Sequence, residues 1–293
     1  MVAQFAAPLF VPGDRPDRVS KAFMGAARAV VVDLEDAVPL AAKDAARRST
    51  VEVLSRHGDQ ALRLVRVNPA TSSDLLIADV LALRPVLGRI DALVLPKVED
   101  EAEVRWLNDY VIDQCGVPVP VIPTIESAAG VLRSLAIAAA PCVKTVMLGV
   151  VDLSTELGLA PTAGGDELRV VRSTLVLACA AAKIGRPIDG PYIKLSEPAE
   201  LAIAAHSARL LGFGGKVAIH PGQIEPIHAA FTPTHAEITW AQGVIDAYKG
   251  AEASGAAVAR TADGTFVDAP VLARARELLG EAEAGDFTRH RHA

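Results

Sequence analysis

Two acidic residues draw attention because each closes a run of side chains of the kind that fill protein interiors. In "VIPTIESAAG" (121–130) β-branched residues lead up to Glu126, and in "TVMLGVVDLS" (145–154) a second apolar run leads to Asp152. If the runs are adjacent parallel strands, about 5 Å apart, the carboxylates approach closely. They then repel unless one is protonated or a cation lies between them. No His or Cys cluster accompanies them, so the fitting cation is hard and oxygen-loving. Mg2+ takes one or two carboxylates and completes its octahedron with water and substrate. The alternative is that both acids are loop residues or helix caps.

Arg66 lies in "RLVRVNP", between Val65 and Val67, and must be paired if that run is buried. A partner such as Asp36 on the adjacent strand would satisfy it. So would a substrate carboxylate or a developing oxyanion, and both can hold together. Other apolar runs also finish on polar residues: Asp33, Glu35, Asp36, Asn68, Lys97, Asp189 and His220. "GDRPDRVSK" sets Arg15, Arg18 and Lys21 around a helix start, where cations and the helix N-terminus together favour phosphate. Alone, these three would read as solvated surface charges. "LGFGGK" (211–216) reads as a helix stop, and His220 as a hydrogen-bonded rim residue rather than a metal ligand.

The elements that must position these groups alternate. Eight apolar runs ("APLFVP", "AVVVDLE", "LRLVRVN", "ALVLPK", "VPVIPTIE", "TVMLGV", "RPIDG" and "KVAIH") are separated by helical patterns. They are continuously hydrophobic, as parallel strands covered on both faces should be. Asp14 can cap a helix beginning near Pro16, and Asp74, Asp166 and Glu197 stand at other helix starts. The pattern predicts an α/β fold, a (β/α)8 TIM barrel, whose catalytic groups stand at the C-terminal ends of the strands. A doubly wound open sheet competes, but it would place a Gly-rich turn after the first strand, and "FVPGDRPDR" has Gly13 alone. Past the eighth strand come a long amphipathic run capped by Thr232 or Thr234, a hairpin signal at Asp263-Gly264, and a helix "PVLARARELLG". The expected layout is a catalytic barrel over 1–230, an extension over 231–280 and a flexible tail over 281–293.

Composition narrows the function classes. The chain has 293 residues, 51% hydrophobic, with a net charge of −6. That balance argues against a nucleic-acid surface. Cys115, Cys142 and Cys179 have no paired spacing and read as reduced thiols of a cytoplasmic protein. No signal peptide or membrane span is expected.

The chain also resembles a known family, the citrate lyase β-subunit-like branch of the HpcH/HpaI aldolase superfamily, which includes malyl-CoA, citramalyl-CoA and citryl-CoA lyases. The resemblance is carried, in order, by "LFVPGDRPDR", "VVDLEDAVPLAAKDAAR", "RVNP", "LVLPKVED", "PTIES", "GVVDLSTELG", "IDG", "GFGGKVAIHPGQI" and "FVDAP", from residue 9 to about 270. It implies that Glu126 and Asp152 bind Mg2+, that Arg66 and Glu126 contact substrate, and that Asp33, Glu35 and Asp36 surround them, Asp36 nearest the reaction. It implies that Arg15, Arg18 and Lys21 lie near the CoA phosphates. It further implies a homo-oligomer, trimer or hexamer, in which Asp268 of "FVDAP" works as an acid/base in a neighbouring subunit. The bland reading of Asp268 is a helix cap before Pro270. The activity implied is reversible carbon–carbon cleavage of a 3-hydroxyacyl-CoA thioester to a keto acid and an acyl-CoA. The same motifs serve CoA-thioester hydrolases, malate synthase-like enzymes and citrate lyase β subunits, whose substrate rides an acyl-carrier protein. Lys194, in "IDGPYIKLSEP", departs from the acidic loop of many relatives.

Overall fold

The computed structural model describes residues 5–57, 60–116, 118–160, 162, 164–254 and 259–289, with side chains described through 280. The chain divides into two compact units, Met1–Ala229 and Ala230–Ala293. In the first unit every strand is parallel to its neighbours and sheet order equals chain order: β1 (Leu9–Pro12), β2 (Ala29–Asp33), β3 (Leu62–Arg66), β4 (Ala92–Leu95), β5 (Val121–Ile125), β6 (Met147–Leu148), β7 (Ile188–Asp189) and β8 (Gly215–Lys216). The ring closes between its ends. Phe10 N–H donates to Ala218 O at 2.9 Å and Ala218 N–H donates to Pro8 O at 2.9 Å. The fold is therefore a (β/α)8 barrel, and closure excludes the open doubly wound sheet.

The helices between strands are α1 (Pro16–Met24), α2 (Lys43–Arg56), α3 (Ser73–Leu83), α4 (Glu101–Cys115), α5 (Ala128–Leu132), α6 (Ser134–Ala138), α7 (Val150–Glu156), α8 (Arg169–Ala182) and α9 (Pro198–Leu210), with α10 (Ile224–Phe231) after β8. β2 is buried at all five positions because the barrel interior takes one face and helices take the other. Inside the barrel, Val31, Leu64, Val94, Ile122 and Met147 meet in one apolar cluster. Local signals place several helix starts. Asp100 and Glu103 form a capping box on α4, and Ser127 accepts from Gly130 N–H at the start of α5. α1 begins at Pro16, but its N-cap is Arg15 with no side-chain cap bond, so Asp14 does not take the expected part.

The second unit holds α11 (His235–Ser254), the antiparallel pair β9 (Ala259–Arg260) and β10 (Phe266–Val267), and α12 (Ala269–Arg289). Thr234 and Glu237 cap α11 reciprocally, and Gly264 sits at φ 87° in the turn of the hairpin. Ala241 and Val244 of α11 pack with Leu272, Ala275 and Leu278 of α12. Helix α12 runs on to Arg289, so part of the segment read as a tail from 281 is helical. Among the described residues no helix is long and apolar enough to cross a membrane.

Candidate active site

Strand register decides which side chains meet. Asp33, the last residue of β2, is paired in register with Arg66, the last residue of β3. The guanidinium donates Nε–H to Asp33 Oδ1 at 2.8 Å and Nη2–H to Asp33 Oδ2 at 2.5 Å. Its Nη1 lies 3.0 Å from Glu35 Oε2, an ion pair without hydrogen-bond alignment. Arg66 thus has the carboxylate partner its burial requires, but the partners are Asp33 and Glu35 rather than Asp36. Register is the reason: the residue opposite Arg66 is Asp33, and Asp36 lies three residues beyond the strand. Burial alone would favour the neutral form. The Asp33 hydrogen bonds and the fields of Asp33, Glu35 and Asp36 hold the Arg66 pKa above its ordinary value. The same guanidinium stands 5.2 Å from the centre of the Phe10 ring.

Glu126 follows β5 directly and is 8% exposed. Its Oε1 accepts the Lys97 backbone N–H at 2.6 Å. Gly149, next along from β6, lets the carboxylate pass. A Cβ built there would fall 2.3 Å from Glu126 Cβ and 2.4 Å from Oε2. Burial first, then the fields of Glu35 and Asp152, push the Glu126 pKa up to about 7, against the Lys97 hydrogen bond and Arg66. Asp152 is exposed in the first turn of α7. It was expected at a strand end, but β6 stops at Leu148 and the apolar residues Val150 and Val151 already belong to the helix.

A cavity of about 390 Å³ opens over these groups, lined among others by Phe10, Asp33, Asp36, Arg66, Glu126 and Asp152. Asp36 and Glu35 share one cation. Lys97 Nζ donates to Glu35 Oε1 at 2.6 Å and to both Asp36 oxygens at 3.2 Å. Behind the wall, Lys43 Nζ donates to Leu34 O at 2.7 Å and Glu35 O at 2.9 Å. Asn68 holds Leu34 O and Asp79, and Arg47 holds Asp79 in turn. These bonds fix the loop that carries Glu35 and Asp36.

Other expected residues stand elsewhere. Asp189 does not line the cavity. It is fully buried and paired with Lys216 at 2.6 Å and Arg172 at 2.9 Å, and those two cations hold its pKa below the usual carboxylate value against burial. His220 is exposed and accepts from Gly222 N–H at 3.1 Å, a rim residue as read from sequence. Arg15, Arg18 and Lys21 are exposed on or beside α1. Asp268 belongs to the second unit, where its Oδ1 accepts Val271 N–H at 3.0 Å in the first turn of α12. Lys97 is the residue whose part sequence reasoning missed. Its backbone is left-handed, φ 56°, a conformation uncommon outside glycine, asparagine and aspartate, and that oddity is invisible in "LVLPKVED".

The donor set suits a hard cation. Glu126 and Asp152 both line the cavity, and the fields of Glu35 and Asp152 raise the proton affinity of Glu126, a repulsion that a divalent ion relieves. Among the described residues no three His, Cys, Asp or Glu side chains form a complete cage, so such an ion would keep positions open for water and substrate.

Comparison with known proteins gives the chain's family. The "HpcH/HpaI aldolase/citrate lyase" family model matches residues 7–221. A citrate lyase subunit beta-like protein of Deinococcus radiodurans is 34% identical, over 92% of this chain and 95% of that one. A (3S)-malyl-CoA thioesterase of Cereibacter sphaeroides is also 34% identical, over 96% and 95%. The crystal structure of CitE from Mycobacterium tuberculosis in complex with magnesium, acetoacetate and coenzyme A superposes with a TM-score of 0.79 at 32% identity, covering 97% of this chain and 100% of that one. With its barrel, its acidic mouth and a match over most of its length, this chain belongs to the HpcH/HpaI aldolase/citrate lyase family.

Proposed function

We propose that this protein is a Mg2+-dependent carbon–carbon lyase that cleaves, or in reverse forms, a 3-hydroxyacyl-CoA thioester such as malyl-, citramalyl- or citryl-CoA. The observation that carries the reading is the convergence of Glu126, Asp152 and Arg66 on one cavity of substrate size. Glu126 and Asp152 are the residues that would hold the ion. When bound, Mg2+ supplies a Lewis acid for the carboxylate and the hydroxyl or keto oxygens of the acid half. Arg66, its plane set by Asp33 and Glu35, presents its remaining N–H bonds to the oxyanion that grows as the bond breaks. Asp36, on the cavity wall, would take the hydroxyl proton. Arg15, Arg18 and Lys21 would meet the CoA phosphates. Asp268 of a neighbouring subunit would protonate the enolate carbon, in a trimer or hexamer.

A second reading keeps the site and changes the class. The thioesterase relative favours hydrolysis of the CoA thioester, with the same acids activating water. One experiment separates them: incubation with malyl-, citramalyl- and citryl-CoA and Mg2+, with products followed by mass spectrometry. Lyase action gives a keto acid plus a shorter acyl-CoA. Free CoA with an intact hydroxyacid identifies a hydrolase, and turnover that is unchanged without Mg2+ rejects the metal assignment. Inertness toward all three thioesters, with turnover only of substrate on an acyl-carrier protein, points to the citrate lyase β arrangement.

A further inference from the structure

The acids at the barrel mouth are not equivalent. Asp33 has both oxygens on Arg66. Glu35 divides its oxygens between Lys97 Nζ at 2.6 Å and Arg66 Nη1 at 3.0 Å. Both Asp36 oxygens lie 3.2 Å from Lys97 Nζ. Glu126 Oε2 and the carboxylate of Asp152 are the oxygens left without such a cation among the described residues. The division depends on Lys97 twice. Its left-handed backbone accompanies an N–H bond that pins the other Glu126 oxygen at 2.6 Å, while its side chain runs to the loop after β2. One residue thus spans the boundary between acids already neutralised and acids still open.

We propose that the Lys97 ammonium is a positioning group that keeps Glu35 and Asp36 off the metal, so that the site takes a hard divalent cation through Glu126 and Asp152 alone. The inference rests on the Mg2+ reading above and adds to it the reason for an open coordination sphere. Mg2+ has six places. With two protein carboxylates it keeps places for water and for the paired oxygens of a hydroxy or keto acid. Were Glu35 and Asp36 released, two more carboxylates would compete for those places. The ion would be held more tightly and substrate would be shut out. Lys97 therefore lowers metal affinity in exchange for access. This is the opposite of what a group acting only as a structural brace would do.

The test uses the intact chain and Mg2+ or Mn2+ alone, before any substrate. Lys97→Met keeps the backbone N–H and much of the side-chain volume but removes the charge. It is expected to bind Mg2+ about tenfold more tightly by titration calorimetry, the size of effect a lost unit charge has on a nearby divalent ion at near-aqueous dielectric. With Mn2+ as probe, water-proton relaxation should show fewer exchangeable waters on the bound ion. kcat should fall at least about 100-fold and the keto-acid KM should rise. Lys97→Arg retains the cation, and its metal affinity and relaxation should stay near those of the parent. If Lys97→Met does not fold, Lys97→Gly carries the same measurement, because glycine accepts φ 56° without strain. A folded charge-free variant that binds Mg2+ equally or less tightly, or keeps the parent's water count, overturns the proposal. Parent protein that takes up no Mg2+ overturns the functional reading with it. Uptake by the parent together with an unaltered variant overturns this inference alone.

Discussion

A single guanidinium organises the chemistry at the residue scale. Arg66 meets Asp33 through two N–H bonds on one edge and pairs with Glu35 through Nη1, a fork that an ammonium cannot reproduce. Arg66→Lys should therefore lower kcat/KM by about 10²–10³ with little change in metal affinity, read by steady-state kinetics beside Mg2+ titration. Glu126→Ala should abolish metal-dependent turnover and metal uptake while the far-ultraviolet circular dichroism stays that of the parent. Turnover at the parent's rate would contradict the assignment. The need for a partner at Arg66 was legible because a cation between two buried valines cannot stand alone. The partner's identity was not, because it depends on the β2–β3 register, which local patterning does not contain. Lys97 was harder still. Its three partners, Glu35, Asp36 and Glu126, come from the segments after β2 and β5, and a lysine after a proline looks like any solvated turn.

At the scale of elements, short strands do the positioning. β6, β7 and β8 have two residues each, yet they place Gly149, Asp189 and Lys216 by parallel pairing. Gly149→Ala should show how tight that placement is. The new methyl collides with Glu126, so kcat and Mg2+ affinity should fall together, with a stability loss of about 1–3 kcal/mol in urea unfolding. Unchanged affinity would mean that the two strand ends are free to separate. Six of the eight strands, β1 to β6, were visible in apolar runs, since both barrel faces are covered; β7 rests on Ile188 alone in "RPIDG", and β8 meets the run "KVAIH" only at Lys216. Their ends were less so: "TVMLGV" reads as one strand, whereas Gly149 ends the strand and Val150 opens α7. An apolar run looks alike in a buried strand and in the first turn of a helix, even one whose Val151 is exposed, so composition alone cannot mark the change. The capping box at Asp100 and Glu103 shows the converse case, a boundary written locally and found where it is written.

For the molecule as a whole, pH and closure set the terms of stability. His228 on α10 is pushed down to about 4, by burial first and then by the positive charge of Arg28. Between the usual 6.5 and that value the unfolded chain takes a proton that the folded chain refuses. Stability should therefore fall as pH drops through this window, by no more than about 3 kcal/mol. His228→Gln should flatten the profile in urea titrations at pH 4, 5, 6 and 7, and an unchanged slope would assign the loss to other groups. The barrel's seam has a different consequence. The first strand waits for backbone near Ala218 before its outer edge is satisfied, so about three quarters of the chain must leave the ribosome first. Throughout that interval the nascent polypeptide exposes an apolar β edge of the sort that recruits like strands. Chaperone demand during synthesis is thus written into where the circle is joined.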